Sequence, residues 1–274
     1  MRSLNPLPGL DRDEETGPSL LELLDLEEID RDLYRAATVF DDPPRLYGGQ
    51  VAAQALRAAG GTVPQGRVPH SLHGYYLRAG DAARPTIFRV ERDRDGRSFS
   101  ARRVVALQGG EVIFNMSVSF HTPQPGVDRQ VHPAPEAPAP EGLAPTTLPR
   151  LQSVECRLPP RPSPTRWPTR FWARCTDALP DDDLVHACVL TYLSDISTGL
   201  AAIESDGPEM PGASLDHAVW FHRPVRMDEW VLMDLVPHTV AGGRGWYTGT
   251  LHTARGVLVA SLAQEALFRA PRSR

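Results

Sequence analysis

The chain holds 274 residues, 41% of them apolar and 23% charged, with a formal net charge of −5 at pH 7. This composition excludes global disorder, collagen and a coiled coil, and the acidic balance argues against a nucleic-acid partner, which demands a basic excess. Apolar runs fall short of the ~18 residues that cross a bilayer, so no membrane span is expected.

In chain order, Ser19-Leu20-Leu21-Glu22 spells a capping box ahead of a short apolar helix, Leu20 to Leu26. LYRAATV from Leu33 reads as a strand. Tyr47 to Val63 reads as an alanine-rich helix that opens at Gly48-Gly49 and stops at Gly60-Gly61. HSLHGYYLR, PTIFRVERD, SFSARRVVALQ and EVIFNMSVSF then alternate as strands, split by turns at Asp95-Gly96 and Gly109-Gly110. Eight prolines between Thr122 and Arg150 predict an extended linker without sheet or helix, and a second proline cluster runs from Leu158 to Pro168. Beyond it, Asp181-Asp182-Asp183 caps a helix, LVHACVLTYLSDIS. The strands SLDHAVWFHR, EWVLMDLVP, RGWYTGTLHT and VLVASLAQEALF follow, with glycine turns at Gly242-Gly243 and Gly256.

The second half thus repeats the order of the first, its strands at an offset of 143 to 147 positions. One helix followed by four or five antiparallel strands is an α+β layer arrangement. The expected division is residues 1–121 as an N-terminal unit with a short leading helix, 122–168 as a proline-rich linker and 169–274 as a C-terminal unit. Overlaying the halves sets Asp195 against Ala58-Ala59 and Gln264 against Val118, so the N-terminal half lacks both polar groups.

Every basic residue is arginine; there is no lysine. Schiff-base chemistry and a Walker A loop are therefore excluded. Cys156, Cys175 and Cys188 have no metal spacing, and without a secretory signal in MRSLNPLPGLDRDEETG they suggest free thiols in a reducing cytoplasm. Cys188, inside LVHACVLTYL, reads as a buried inert thiol. GxSxG, GxGxxG and HExxH are absent. His217 and His222 lie five apart on a strand, on opposite faces, and do not share a metal. No metal or redox cofactor is implied.

From Phe40 to Arg129 and from Leu184 to Arg269 the chain resembles the acyl-CoA thioesterase II (TesB-type) family of tandem hotdog enzymes. The motifs that carry the resemblance are YGGQVAAQAL, HSLHGYYLRAGD, DGRSFSARRVVALQGGEVIF, TYLSDIS, ASLDHAVWFHRPVRMDEWVLM and GVLVASLAQEALFR. The resemblance implies a double hotdog, hydrolysis of acyl-CoA to fatty acid and CoA-SH, and a water held by an aspartate, a hydroxyl and an amide. Those fall on Asp195, Ser214 (where the family pattern has threonine) and Gln264.

Elementary chemistry agrees with that assignment. A thiol leaving group, pKa about 8.5, departs without a strong acid, so water needs chiefly a proton acceptor and fixed hydrogen bonds. Helix N-terminal N–H groups stabilise an oxyanion, which makes Gly48, Gly49 and Gln50 candidates. A carboxylate in a last helical turn opposes the helix dipole by ~0.3–1 kcal/mol, a reason to notice Asp195. Read bottom-up, Asp195 is equally a helix-ending surface residue, Gln264 a solvent-face strand residue and Asp216-His217 a structural pair. Arg45, Arg78, Arg97, Arg102 and Arg103 are available to coenzyme A phosphates, with a solvated face the default for each. A non-catalytic acyl-CoA sensor and an enoyl-CoA hydratase-like hotdog enzyme are the alternatives. Acyl-CoA is the expected small-molecule partner, and exposed strand edges suggest a homodimer or larger assembly.

Overall fold

Alternation of apolar and polar residues in each half folds into long antiparallel strands wrapped around one helix. The computed structural model describes residues 2–3, 19–39, 45–160, 168–203 and 210–270. The start of the chain and residues 161–167 of the second proline cluster lie outside them.

The capping box forms at both of its bonds, and the helix it starts, α1 (Leu20–Leu24), buries all four leucines. The first half then comprises strand β1 (Leu33–Ala36), helix α2 (Gly48–Gly60) and strands β2 (Val68–Tyr76), β3 (Thr86–Asp95), β4 (Phe99–Gln108) and β5 (Glu111–His121). The second half comprises β6 (Arg170–Cys175), α3 (Asp183–Ser194), β7 (Asp216–Phe221), β8 (Val231–Ala241), β9 (Arg244–Thr253) and β10 (Leu258–Arg269). In space these strands form one continuous antiparallel sheet, ordered β1-β3-β4-β5-β2-β7-β10-β9-β8-β6. Each half therefore uses the same permutation, and the halves join where β2 pairs β7, with Leu72 opposite Val219 and Tyr75 opposite Asp216.

The small residues of α2 serve close packing. Ala52, Ala53, Ala55, Ala58 and Ala59 are buried between the sheet and α3. A Cβ on Gly60 would overlap the Leu184 side chain, and one on Gly49 would overlap the Tyr192 carbonyl. The two helices thus run antiparallel, with the N-terminus of α2 at the C-terminus of α3. Leu56, Phe88, Phe114 and Phe120 fill the space under α2; Val189, Leu193, Phe171 and Leu251 belong to the same core.

The proline-rich segment departs from its expected lack of structure. It forms a 3-10 turn at Pro140–Gly142 and a two-residue strand, Pro145–Thr146, against Val154–Arg157, which in turn pairs β6. Proline is tolerated here because the short strand lies at a sheet edge, where a missing N–H interrupts no ladder. The segment is also pinned: Trp172 Nε1 donates to the Pro138 carbonyl at 2.9 Å, and Gln130 bridges Gly256 and Leu258. Another difference concerns SLDHAVWFHR, of which Asp216–Phe221 is β7 while Ser214 ends a separate strand, Met210–Ser214. Met210–Ser214 and β7 both pair β10, and the chain shifts at Leu215 between them.

Candidate active site

Asp195 is the C-cap residue of α3, and the antiparallel helix packing presses it against the first turn of α2. A Cβ on Gly48 would overlap Asp195 Oδ2 and the Tyr76 ring, so the close approach requires glycine. The Gly49 N–H points at the same carboxylate. A charge poorly placed for its own helix dipole is thereby well placed for that of a neighbour.

The other carboxylate oxygen, Oδ1, accepts from Ser214 Oγ at 3.0 Å and from Gln264 Nε2. Gln264 Nε2 also donates to Ser214 Oγ at 2.5 Å. Ser197 Oγ lies 2.7 Å from Ser214 Oγ. Ser214 donates to Asp195 Oδ1, and the Ser197 hydroxyl also reaches the Asp195 carbonyl, which accepts from it at 3.2 Å. Ser197 holds φ at 56°, a left-handed conformation uncommon outside glycine and asparagine, and this aims its hydroxyl at Ser214.

Gln264 is fully buried. The solvent-face expectation fails because Gln264 shares its face with Leu262, Ala266 and Phe268, all buried. Its amide orientation is fixed from behind: Oε1 accepts from Tyr247 Oη at 2.6 Å and from His217 Nδ1 at 3.0 Å. Burial pushes His217 down to about 4, so the ring is neutral. With Nδ1 donating, Nε2 is an acceptor 2.7 Å from the Ser194 hydroxyl, whose proton it shares with the Thr191 carbonyl at 2.9 Å.

Burial raises the Asp195 carboxyl to about 7, opposed by hydrogen bonds from Gln264, Ser214, Tyr76 and Gly49. The Tyr76 phenol lies against the carboxylate outside ideal hydrogen-bond geometry. Burial first, and Asp195 second, push Tyr47, Tyr76 and Tyr247 well above the usual phenol range, so all three are protonated donors.

A cavity of about 540 Å³ opens beside this cluster. Gly48 and Val51 of α2, Tyr76 and Phe114 of the first half, and Asp195, Ser197 and Ser214 of the second line it. Asp195, Ser214 and Gln264 are thus brought together beside Gly48 and Gly49. Gln50 is buried in α2 and does not line the cavity. Nothing in the sequence singles out Ser194, Ser197, Tyr76 or Tyr247, and His217, expected in a structural pair with Asp216, supports Gln264. For Tyr247 the missing signal is strand register, since it faces Gln264 only because β9 pairs β10 as it does.

Among the described residues the first half carries no counterpart. Val118, which overlays Gln264, pairs with Arg102 where Gln264 pairs with Tyr247. The C-cap of α2 is Gly61 where α3 has Asp195. Arg102, expected at a solvated face, is buried: Nε donates to Thr62 Oγ1 at 2.8 Å and Nη2 to the Thr62 carbonyl at 3.0 Å. A guanidinium satisfied by carbonyls and Asp95 fills this place. The three thiols are free and buried, and burial pushes Cys156 and Cys175 up to about 12 and Cys188 higher still, so none is a thiolate nucleophile. Among the described residues no helix is long and apolar enough to cross a membrane.

Comparison with known proteins is consistent along the chain. Residues 40–121 match the model of an acyl-CoA thioesterase N-terminal domain and residues 128–268 that of an acyl-CoA thioesterase C-terminal domain. Human acyl-coenzyme A thioesterase 8 is 35% identical, over 90% of this chain and 88% of its own length. The crystal structure of acyl-CoA thioesterase II TesB2 from Mycobacterium marinum superposes with a TM-score of 0.79 at 42% identity, covering 91% of this chain and 98% of that one. A hotdog-fold protein of Alicyclobacillus acidocaldarius, 19% identical with a TM-score of 0.74 over 92% of this chain and 98% of its own, shares the fold.

Proposed function

The chain belongs to the TesB-type acyl-CoA thioesterase family, and from that premise we propose that its hydrolysis of acyl-CoA to fatty acid and CoA-SH runs through a water held by Asp195, Ser214 and Gln264. Asp195 Oδ2 faces the cavity side at Gly48, while Oδ1 is occupied by Ser214 and Gln264. In this reading Oδ2 takes the proton of the attacking water, help typically worth ~10²–10⁴-fold. The hydroxyl and the amide, both bonded to Oδ1, fix the carboxylate in one geometry, so the base is oriented before the substrate arrives. The Gly48 N–H, at the N-terminus of α2, receives the oxyanion. The Gly49 N–H, turned to Asp195, holds the base instead. Collapse of the tetrahedral intermediate expels the thiolate, which leaves readily because its conjugate thiol is acidic.

One observation carries the mechanism. A carboxylate at 3% exposure, raised to about 7, touches the two polar groups assigned beside it and stands at a cavity wall built from both halves. The reading implies one site per chain, in the cytoplasm, since the three buried thiols suit a reducing compartment. The test is a panel of acyl-CoAs with free-thiol detection, on the wild type and Asp195→Asn. Thiol release by the wild type and its loss in the variant support the assignment; near-wild-type release by Asp195→Asn on every thioester refutes it.

A further inference from the structure

Three arginines line the cavity that reaches Asp195: Arg45 ahead of α2 and Arg78 after β2, both exposed, and the half-buried Arg150 from the proline-rich segment. Their placement is built. Arg150 Nη1 donates to the Arg45 carbonyl at 2.6 Å. The Arg150 backbone sits at φ 73°, in the left-handed region, held by Tyr192 Oη donating to its carbonyl at 2.7 Å. Such a conformation costs energy in a non-glycine residue and persists only where the surroundings over-determine it. Arg78 Nη1 donates to the Val112 carbonyl at 2.8 Å, leaving Nη2 in an exposed pair with Glu111. The loops carrying Arg45 and Arg78 are tied by Leu46 N–H donating to the Gly80 carbonyl at 2.9 Å.

Three arginines in one cavity lining are a local concentration of basic residues on a chain whose net charge is −5. The same lining holds the apolar Leu46, Val51, Ile113 and Phe114 and the buried carboxylate of Asp195. An acyl-CoA carries the matching chemistries: a polyanionic nucleotide, a neutral arm and the thioester. We propose that Arg45, Arg78 and Arg150 bind the phosphate groups of the coenzyme A moiety and so set the direction in which the thioester enters. This rests on the reading of Asp195 as the hydrolytic centre. Arginine suits the task because its planar fork matches phosphate oxygens in pairs. The proline-rich segment then has a role in the site, since it supplies Arg150.

The test compares two thioesters of the same acyl group, the acyl-CoA turned over best in the panel and the corresponding S-acyl-pantetheine, which lacks the phosphates. Arg45→Ala/Arg78→Ala changes two exposed side chains, and its fold is checked by circular dichroism. The expected result is a KM for acyl-CoA raised about tenfold or more, with kcat changed less than about twofold and S-acyl-pantetheine kinetics unaltered. The wild-type KM for acyl-CoA should also rise with added salt, more steeply than that of the double variant. An equal rise in KM on both thioesters, or a change on acyl-CoA below about twofold, overturns the proposal. Hydrolysis of S-acyl-pantetheine by the wild type, set against Asp195→Asn, reports on the hydrolytic centre alone. A failed phosphate subsite and a failed catalytic assignment therefore give different results.

Discussion

Asp195 and Gly48 lie at opposite ends of the chemistry and in direct apposition: the Oδ2 of the one occupies the space that a Cβ on the other would take. The C-terminus of α3 and the N-terminus of α2 meet at this point. The Gly49 N–H and the α2 dipole support a charge that burial disfavours, which keeps the carboxyl near neutrality rather than fully protonated.

Replacement at Gly48 tests that apposition. Gly48→Ala must displace either the carboxylate or the Tyr76 ring, and kcat should fall ~10²-fold, the scale expected for misplacing a reacting group by about 1 Å. Because the displaced atoms are side-chain ends, the fold should persist. Steady-state kinetics paired with circular dichroism would check both halves of the statement.

Among the trio, Asp195→Asn should lower kcat by roughly 10²-fold or more. Ser214→Ala should cost least, since a second water can replace the hydroxyl, and Gln264→Ala should fall between. In the wild type, kcat should rise with pH through about 7 as Asp195 loses its proton. That limb should be missing from whatever activity Asp195→Asn retains, as a pH–rate profile would reveal.

The same group sets a stability trend. The folded-state value of Asp195 is raised above that of an unfolded carboxyl, so its contribution is most favourable below about pH 4 and is lost as pH rises through about 7. Asp195→Asn removes this loss. The variant should gain in Tm over the wild type at pH 8, and that gain should shrink at pH 5, by thermal denaturation at both values.

His217 is a positioning residue, because it reaches Asp195 only through Gln264. His217→Phe deletes one of the two donors to Gln264 Oε1 and leaves Tyr247 as the other. We expect kcat to fall about tenfold, a single lost hydrogen bond, with KM unchanged. Adding Tyr247→Phe should then cost more than the two single losses combined, as expected where each donor covers for the other.

Arg102→Leu separates structure from catalysis. It leaves the Thr62, Arg94 and Ala101 carbonyls without the guanidinium, and unmet buried acceptors cost about 1–3 kcal/mol each. Tm should drop by several degrees while kcat stays near wild type, in line with one hydrolytic centre per chain. Static light scattering on the same preparations should also give a homodimer or larger species.

Much of this molecule was legible in its residues. The alternating strands, the capping box at Ser19 and the glycine turns are local signals, carried by side-chain period and backbone preference within a few positions. Asp195 stood out by opposing its helix dipole, and the TesB-type motifs marked Ser214 and Gln264. What lay beyond reach depended on long-range pairing: Tyr247 facing Gln264, the neutral His217 behind it, and Arg102 buried in the first half.

The sequence by itself determined the two long helices and the long strands that follow each, their repetition in two halves, and the residue types available for hydrolysis, but not the strand Arg170–Cys175 or the short strands of the proline-rich segment. Only the tertiary structure decided that α2 and α3 run antiparallel, which brings a carboxylate 147 positions beyond Gly48 into contact with it. The physical reason is that a group's protonation and partners follow from burial and apposition. Those properties arise when distant segments pack, and no local run of residues contains them.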